Sequence, residues 1–367
     1  MKVCCLIDSL NSGGAQRQMT WLIRALASNG HQVRLLTYHK FDHYLEIVRS
    51  AGVEPECFDS YSKVGRFSAI RSAVRKDKPD VIVSFLDTPN FLGLFAGMSP
   101  NRIPVIVSER NQDMGGKTRA TSIRFNSFRL AAKVVTNCHS QNEFISENYP
   151  FLKQRLATVV NCVDLGEFSA THNSSPTSKR KLIVAASVIA RKNAQNLIRA
   201  VKIAADDGIH VEVDWFGNNL FENGKPTSAS YYFLECEALV KDLGVENQFR
   251  FLGEVSNIHR IYGDYDGCCL PSVREGCPNV ICEAMASGLP VLVSDHGDMK
   301  RMAGSAGGFC FQPDSPRSIA DALIQFADLS QEEFKAMGVR NRKWAEEHLS
   351  PERFAAEYES IIKEVLV

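Results

Sequence analysis

The strongest constraint on this chain is an alternation of short apolar runs with helical stretches, which occurs twice. In the first half, Val3–Ile7, Gln32–Thr37, Pro79–Phe85, Pro104–Ser108, Lys133–Asn137 and Ala157–Asn161 read as strands. Between them lie helical stretches at Ala15–Asn29 (ended by Gly30), Phe41–Ala51 and Gly65–Lys76. Runs that are apolar throughout suit strands covered on both faces, the signature of a parallel sheet between helix layers. Ser169–Lys181 is polar, rich in Ser and Thr, and has no periodicity, so it reads as a linker. The alternation then restarts with strands at Leu182–Ser187, Val211–Phe216 and Phe249–Leu252 and helices at Asn193–Asp206, Tyr232–Leu243 and Asn257–Tyr262. Amphipathic helices follow at Ser315–Ala327, Gln331–His348 and Pro351–Leu366. The expectation is an α/β protein of two doubly wound domains, 1–168 and 182–349, with a last helix over 350–367. A length of 367 residues gives each domain enough chain for its own core.

Charge divides between these halves. Residues 1–165 hold 21 Lys and Arg against 14 Asp and Glu, an excess of +7, and the remainder carries −7. A basic first half suits an anionic partner, such as a membrane surface or a phosphorylated acceptor. Random imbalance among solvated faces explains it equally well. Nothing in the sequence points to nucleic acid. The 11 cysteines are odd in number, and Cys4, Cys5, Cys268 and Cys269 lie inside strand-like runs. They read as reduced, buried thiols in a cytoplasmic protein. The apolar run at the N-terminus, Val3–Ile7, is too short for a signal sequence, and no stretch approaches the ~20 apolar residues that span a bilayer. Any membrane contact is therefore expected to be peripheral.

The segment EGCPNVICEAMASGLP, Glu275–Pro290, lies between two apolar runs, Cys268–Leu270 and Val291–Val293. In an open α/β sheet, ligands bind beyond the C-terminal strand ends, where this loop must sit. Pro271 and Ser272 end the strand, Gly276 and Pro278 shape the loop, and a helix over Asn279–Ser287 ends at Gly288 as its C′ residue. The N–H groups of Asn279 and Val280 then face outward at a positive helix end, a cradle for a diphosphate. Glu275 falls on the loop and Glu283 about two turns into the helix, so a carboxylate stands on each side to hold hydroxyls.

Taken whole, this segment resembles the donor-site signature of retaining GT-B glycosyltransferases of family four, the group 1 transferases of the Glu-x7-Glu type. The resemblance implies two Rossmann-like domains facing across a cleft, with the final helix returning to the N-terminal, acceptor-side domain. It implies Glu275 on the sugar hydroxyls, Glu283 on the ribose, and Gly276, Cys277, Asn279 and Val280 along the donor. Asn11–Arg17 (NSGGAQR) resembles the family's GGA-x-R element, which sets Gly14 against the donor's distal phosphate and sugar. It lacks the GxGxxG spacing of a nicotinamide or flavin site. At Val184–Asn193 (VAASVIARKN) the family's Gly-Arg is replaced, with Ser187 at the arginine position. Lys192 keeps its place, and Arg191 stands beside it to neutralise the diphosphate. Val159–Asp164 with Phe168 resembles the NGVD…F stretch, with Cys162 in place of Gly, and reads as a structural hinge. Gly217 and Asn218, and Leu252 before Gly253, end strands where such enzymes hold the base through backbone groups.

In Pro104–Asn111 (PVIVSERN), Glu109, Arg110 and Asn111 stand where many relatives place a His near the sugar. They read as sugar or acceptor contacts, with a surface ion pair as the alternative, and His139 lies near the same strand ends. Asp264-Tyr265-Asp266 has the DxD form of metal-dependent transferases but precedes a strand instead of leaving one. No metal and no cofactor beyond the nucleoside diphosphate sugar is expected, and UDP is the default from the family's breadth. Lys117–Lys133 (KTRATSIRFNSFRLAAK) is basic and amphipathic as a helix. It is either an anionic-membrane contact at the inner face or a packed helix with a charged side. The implied function is transfer of a hexose or N-acetylhexosamine to a glycan or lipid-linked acceptor in polysaccharide or lipopolysaccharide-type biosynthesis. Two rivals stand beside it: a nucleoside diphosphate sugar epimerase and a non-catalytic sugar-nucleotide-binding protein.

Overall fold

The computed structural model describes residues 1–59, 62–98, 102–110, 117–169, 180–219, 221–222 and 225–367. The chain forms two compact units, 1–162 with 351–367 and 163–350.

The first unit runs β1 (Lys2–Leu6), α1 (Gly14–Ser28), β2 (Gln32–Thr37), α2 (Leu45–Ser50), β3 (Glu56–Cys57), α3 (Lys63–Asp77), β4 (Val81–Phe85), α4 (Asp87–Gly97), β5 (Val105–Glu109), α5 (Arg119–Ser127), β6 (Lys133–Thr136), α6 (His139–Asn148) and β7 (Leu156–Thr158). Its sheet has the order β3-β2-β1-β4-β5-β6-β7 and every pairing is parallel. The two-residue period of β1 divides its side chains between two cores. Val3, Cys5 and Ile7 join Met19 and Leu22 of α1 on one face. Cys4 and Leu6 join Ile70, Leu94 and Phe125 on the other. A fully buried Leu or Phe contributes ~1.5–3 kcal/mol, so both helix layers are strongly held. Burial pushes the Cys4 thiol up to about 12, and that of Cys5 further. These cysteines stay protonated and pack as small hydrophobes.

The second unit runs β8 (Arg180–Ala185), α7 (Ala194–Asp206), β9 (Val211–Phe216), a hairpin of β10 (Phe221–Glu222) and β11 (Lys225–Pro226), α8 (Ser228–Asp242), β12 (Phe249–Gly253), β13 (Gly267–Leu270), α9 (Asn279–Ala286), β14 (Val291–Ser294), α10 (Gly297–Ala306), β15 (Phe309–Phe311), α11 (Pro316–Ala327) and α12 (Gln331–His348). Its parallel sheet has the order β12-β9-β8-β13-β14-β15. The final helix, α13 (Pro351–Leu366), belongs to the first unit, where Phe354, Tyr358, Ile361 and Ile362 join the α1 core.

The chain passes between the units at Cys162/Val163, ahead of the polar Ser169–Lys181 stretch. Residues 170–179 of that stretch lie outside the described residues, and Arg180 and Lys181 open β8. Gln18 fastens the crossing: its Nε2 donates to Cys162 O at 2.9 Å and its Oε1 accepts from Cys162 N at 2.9 Å.

Two local expectations fail. Asn257–Tyr262 is no α-helix but part of two 3₁₀ turns, Ile258–Arg260 and Tyr262–Asp264, closed by i→i−3 bonds such as Ile261 N to Ile258 O at 3.1 Å. Lys117–Lys133 is no continuous amphipathic helix either. It comprises α5, a 3₁₀ turn at Phe128–Leu130 and the first residue of β6, with Phe125 and Phe128 at 0% exposure in the core. Among the described residues no helix is long and apolar enough to cross a membrane.

Candidate functional site

The loops after β8, β9, β12 and β13 carry the donor-site candidates. β13 is buried at every position, so its chain leaves the sheet abruptly at Pro271. The loop that follows is held by the turn after β8. Val273 N donates to Arg191 O at 3.0 Å, and Arg191 Nη1 donates to Arg274 O at 3.1 Å. At its centre Glu275 Oε1 accepts from Lys192 Nζ at 2.5 Å and from Arg191 Nη1 at 3.2 Å. The side chains of Glu275 and Lys192 are 11% and 15% exposed, so this pair is largely withdrawn from water. Three candidates from two loops 83 residues apart thus meet at one carboxylate.

Asn193, which the sequence reading had only as a helix start, makes this possible. Its φ of 64° places it in the left-handed region, which Asn tolerates better than most residues. From there its Nδ2 reaches Pro271 O at 3.0 Å and Pro313 O at 2.8 Å. The short polar residue following Arg191-Lys192 was the available signal.

α9 begins at Asn279, with Pro278 at its N-cap, so its N-terminus opens beside the Glu275 loop. Its other end closes as a Schellman motif. Leu289 N donates to Ala284 O at 2.9 Å and Gly288 N to Met285 O at 3.0 Å, with Gly288 at φ 71°. Glu283 is the fifth residue of the helix, one turn from its start and not two. It is 4% exposed, and Tyr262 Oη lies 3.1 Å from its Oε2 and 3.3 Å from Val280 O. Tyr262 is fully buried, and its place at the edge of a misread helix hid it from sequence reasoning. Gly276 and Cys277 are buried in the loop, with Cys277 Sγ 3.5 Å from Cys282 Sγ of α9.

Gly217 is required by contact. A Cβ there would lie 1.9 Å from Ala186 O and 3.0 Å from Ser187 N. Val188 N donates to Asn218 O at 3.0 Å, so the backbones of Ser187, Gly217 and Asn218 run side by side. Leu252 stands out from β12 at 47% exposure because the pairing with β9 slips between Phe251 and Gly253. Asp266 of the DxD run accepts from Lys181 N at 2.8 Å, a structural bond. Among the described residues no group of three or more His, Cys, Asp or Glu could hold a metal.

The remaining candidates sit at the corresponding strand ends of the first unit. Gly13 caps α1 and Gly14 is its exposed first residue. Glu109 ends β5 at 0% exposure, its Oε2 3.2 Å from Arg124 Nε, and Arg124 also reaches Asp87 at 3.2 Å. Arg110 lies over the Phe85 ring at 4.7 Å and donates to Asn161 Oδ1, while among the described residues its buried Nε and Nη1 meet no hydrogen-bond acceptor. Tyr358 of α13 belongs to this neighbourhood: burial pushes its phenol up, against the opposing pull of the Arg110 charge. Asn111 lies outside the described residues, and His139 is the exposed first residue of α6.

Comparison with known proteins follows this division. The family description "Glycosyl transferases group 1" matches residues 179–328, and "Glycosyltransferase Family 4" matches residues 12–167. The chain is 27% identical over 315 residues to the GalNAc-alpha-(1->4)-GalNAc-alpha-(1->3)-diNAcBac-PP-undecaprenol alpha-1,4-N-acetyl-D-galactosaminyltransferase of Campylobacter jejuni, covering 78% of this chain and 77% of that protein. Among solved structures, a glycosyltransferase from Rickettsia africae superposes with a TM-score of 0.84 at 16% identity, covering 100% of this chain and 98% of that one. The Anabaena protein HepE in complex with UDP gives 0.84 at 16% identity, covering 99% and 100%.

Proposed function

The chain belongs to the glycosyltransferases of family 4 and has the GT-B fold, and on that premise we propose that it transfers a hexose or N-acetylhexosamine from a UDP-sugar to a lipid-linked saccharide. We assign it retention of configuration, no metal requirement, and a place in polysaccharide or lipopolysaccharide-type assembly at the inner face of a membrane. The observation that carries the reading is the convergence of Glu275, Lys192 and Arg191 beside the N-terminus of α9.

An acid and two cations held together form a site whose charges can change partners. An incoming diphosphate offers Lys192 and Arg191 a doubly charged alternative, and the α9 amides add their dipole. Glu275 is then released to accept hydrogen bonds from the sugar hydroxyls and orient them. As the bond between the anomeric carbon and the phosphate oxygen breaks, negative charge grows on the departing diphosphate. Lys192, Arg191 and the amides of Asn279 and Val280 stabilise that charge. The acceptor oxygen attacks from the face the phosphate leaves, and its proton passes to a phosphate oxygen. The lysine and arginine supply the positive charge that a metal brings elsewhere. Glu283, oriented by Tyr262, takes the ribose hydroxyls, and the backbones of Ser187, Gly217 and Asn218, with Leu252, border the base. On the first unit Gly14 faces the distal phosphate and sugar, while Arg110, Asn111 and His139 contact sugar or acceptor. Glu109 acts through Arg124 as a positioning residue.

The lipid-linked acceptor is supported by the named activity of the Campylobacter relative. UDP is supported by the ligand of the HepE structure. The test is a melting-temperature screen with UDP-, GDP- and ADP-sugars, followed by transfer of the best donor's labelled sugar to an undecaprenyl-diphosphate-linked saccharide. The reading expects a UDP-sugar to raise the melting temperature most and labelled lipid to form with the anomeric configuration kept. Donor epimerised without acceptor, or binding without any turnover, would refute it.

A further inference from the structure

Every site residue above lies at the C-terminal ends of the strands. The first unit also holds a cavity of about 680 Å³ at the opposite edge of its sheet, where β5 and β6 begin. Three arginines line it: Arg102, Arg129 and Arg155. Arg155 is fixed in place, since its Nη1 donates to Arg129 O at 2.8 Å and also to Ala131 O. The Arg129 guanidinium stacks on Phe151 at 4.0 Å. Among the described residues none of the three has a carboxylate partner. Elsewhere in this unit Arg34, Arg49, Arg124 and Lys133 are all ion-paired, and Glu364, next to the cavity-lining Val365, is taken by Lys133 at 2.6 Å.

The rest of the lining is apolar. Leu94 and Met98 come from α4 and the residue after it, Leu130 from the turn before β6, and Val365 from α13. Met98 and Leu130 are 48% and 49% exposed, and the neighbouring Phe151 is 41% exposed. Large side chains left open around uncompensated guanidinium groups describe a seat for an anionic amphiphile.

We propose that this cavity binds the phosphate headgroup of an anionic membrane phospholipid, with Met98, Leu130 and Phe151 entering the surrounding acyl and glycerol region. Guanidinium forks match phosphate oxygens bidentately, and the apolar rim gives acyl chains a surface that a small soluble anion would leave wet. The excess of +7 in residues 1–165 favours approach of this part of the chain to an anionic bilayer. Within the Lys117–Lys133 stretch Phe125 and Phe128 lie in the core, and it is Arg129 and Leu130 of the turn after α5 that reach this cavity. The inference stands apart from the donor chemistry, because the two sites lie on different units.

The test is flotation of the whole protein with phosphatidylcholine vesicles prepared with and without phosphatidylglycerol. Binding should require phosphatidylglycerol, and Arg102→Ala and Arg129→Ala should each lower the bound-to-free ratio about fivefold. Leu130→Asp should weaken it further, whereas Lys40→Ala, an exposed cation after β2 at the other edge of the sheet, should leave it unchanged. The UDP-induced rise in melting temperature, measured on every variant, should be unaltered and reports that each is folded. Equal binding to both vesicle types, or full binding by the double arginine variant, would overturn the proposal. So would release from the vesicles by inorganic phosphate at the same phosphate concentration, which would mark a free-anion site.

Discussion

The C-terminal edges of the two sheets are built from the same kind of parallel strands yet finish differently. In the second unit, loops from three strands are laced together by Asn193, and their charges are gathered on one carboxylate, Glu275. In the first unit the acid of the corresponding region, Glu109, is fully buried against Arg124, and beside it stands the cation Arg110, two of whose buried nitrogens meet no acceptor among the described residues. One edge is preassembled around an acid with two exchangeable cations. The other carries the cation Arg110, bonded to Asn161 and stacked on Phe85. The difference teaches where each edge keeps its polarity: the second unit on an acid shared by two cations, the first on a cation beside a buried acid pair.

Substitutions on the two edges should therefore fail in different ways. The largest effect is expected from Glu275→Ala, which should lower kcat about 10²–10³-fold while UDP affinity, read by calorimetry, holds or rises because Lys192 is freed. Glu283→Gln should instead weaken UDP binding by at least about tenfold, the scale of a hydrogen bond to a charged group, with kcat at saturation much less changed. Arg110→Ala should leave UDP affinity alone and raise the acceptor KM about tenfold. A loss of UDP affinity in that variant would erase the distinction between the edges.

The smallest effect concerns stability. Burial would raise the Asp214 carboxyl, but its bonds to Arg250 at 2.7 Å and Tyr265 at 2.8 Å, with the Lys181 charge, hold it below the usual carboxylate range. Its folded pKa is thus depressed, so its contribution is complete above the unfolded value of about 3.9 and fades as pH falls through the folded one. Asp214→Asn should lower Tm by about 4 °C at pH 7, with the gap to wild type closing below about pH 4.

Much of the fold was legible because the relevant signals are local. Gln32–Thr37 and Val211–Phe216 were read to the residue, because Val33, Leu35 and Leu36 in one and Val211, Val213, Trp215 and Phe216 in the other mark short β-prone segments between helical stretches. The end of α9 was marked by Gly288, whose positive φ closes the helix. α4 and α10 were not read, since Pro89, Gly93 and Gly97 in one and Gly297 and Gly304 in the other break the helical pattern that packing nonetheless imposes. At the site, the Glu275 segment announced itself through spacing. The partners that shape it did not. Asn193, Tyr262 and Gln18 act through bonds to residues 18 to 144 positions away, and no local pattern encodes such distances. The burial of Glu109 was equally hidden, because a polar Ser-Glu-Arg-Asn run gives no sign that its acid faces Arg124 of the next helix.

The account turns on the lysine at the Glu275 loop meeting the donor's diphosphate. Calorimetric titration of wild type and Lys192→Ala with UDP and with uridine isolates that contact. UDP affinity should fall at least about tenfold in the variant while uridine affinity is unchanged. Equal UDP affinity in the two proteins, or a parallel loss for uridine, would place the diphosphate elsewhere and contradict the assignment.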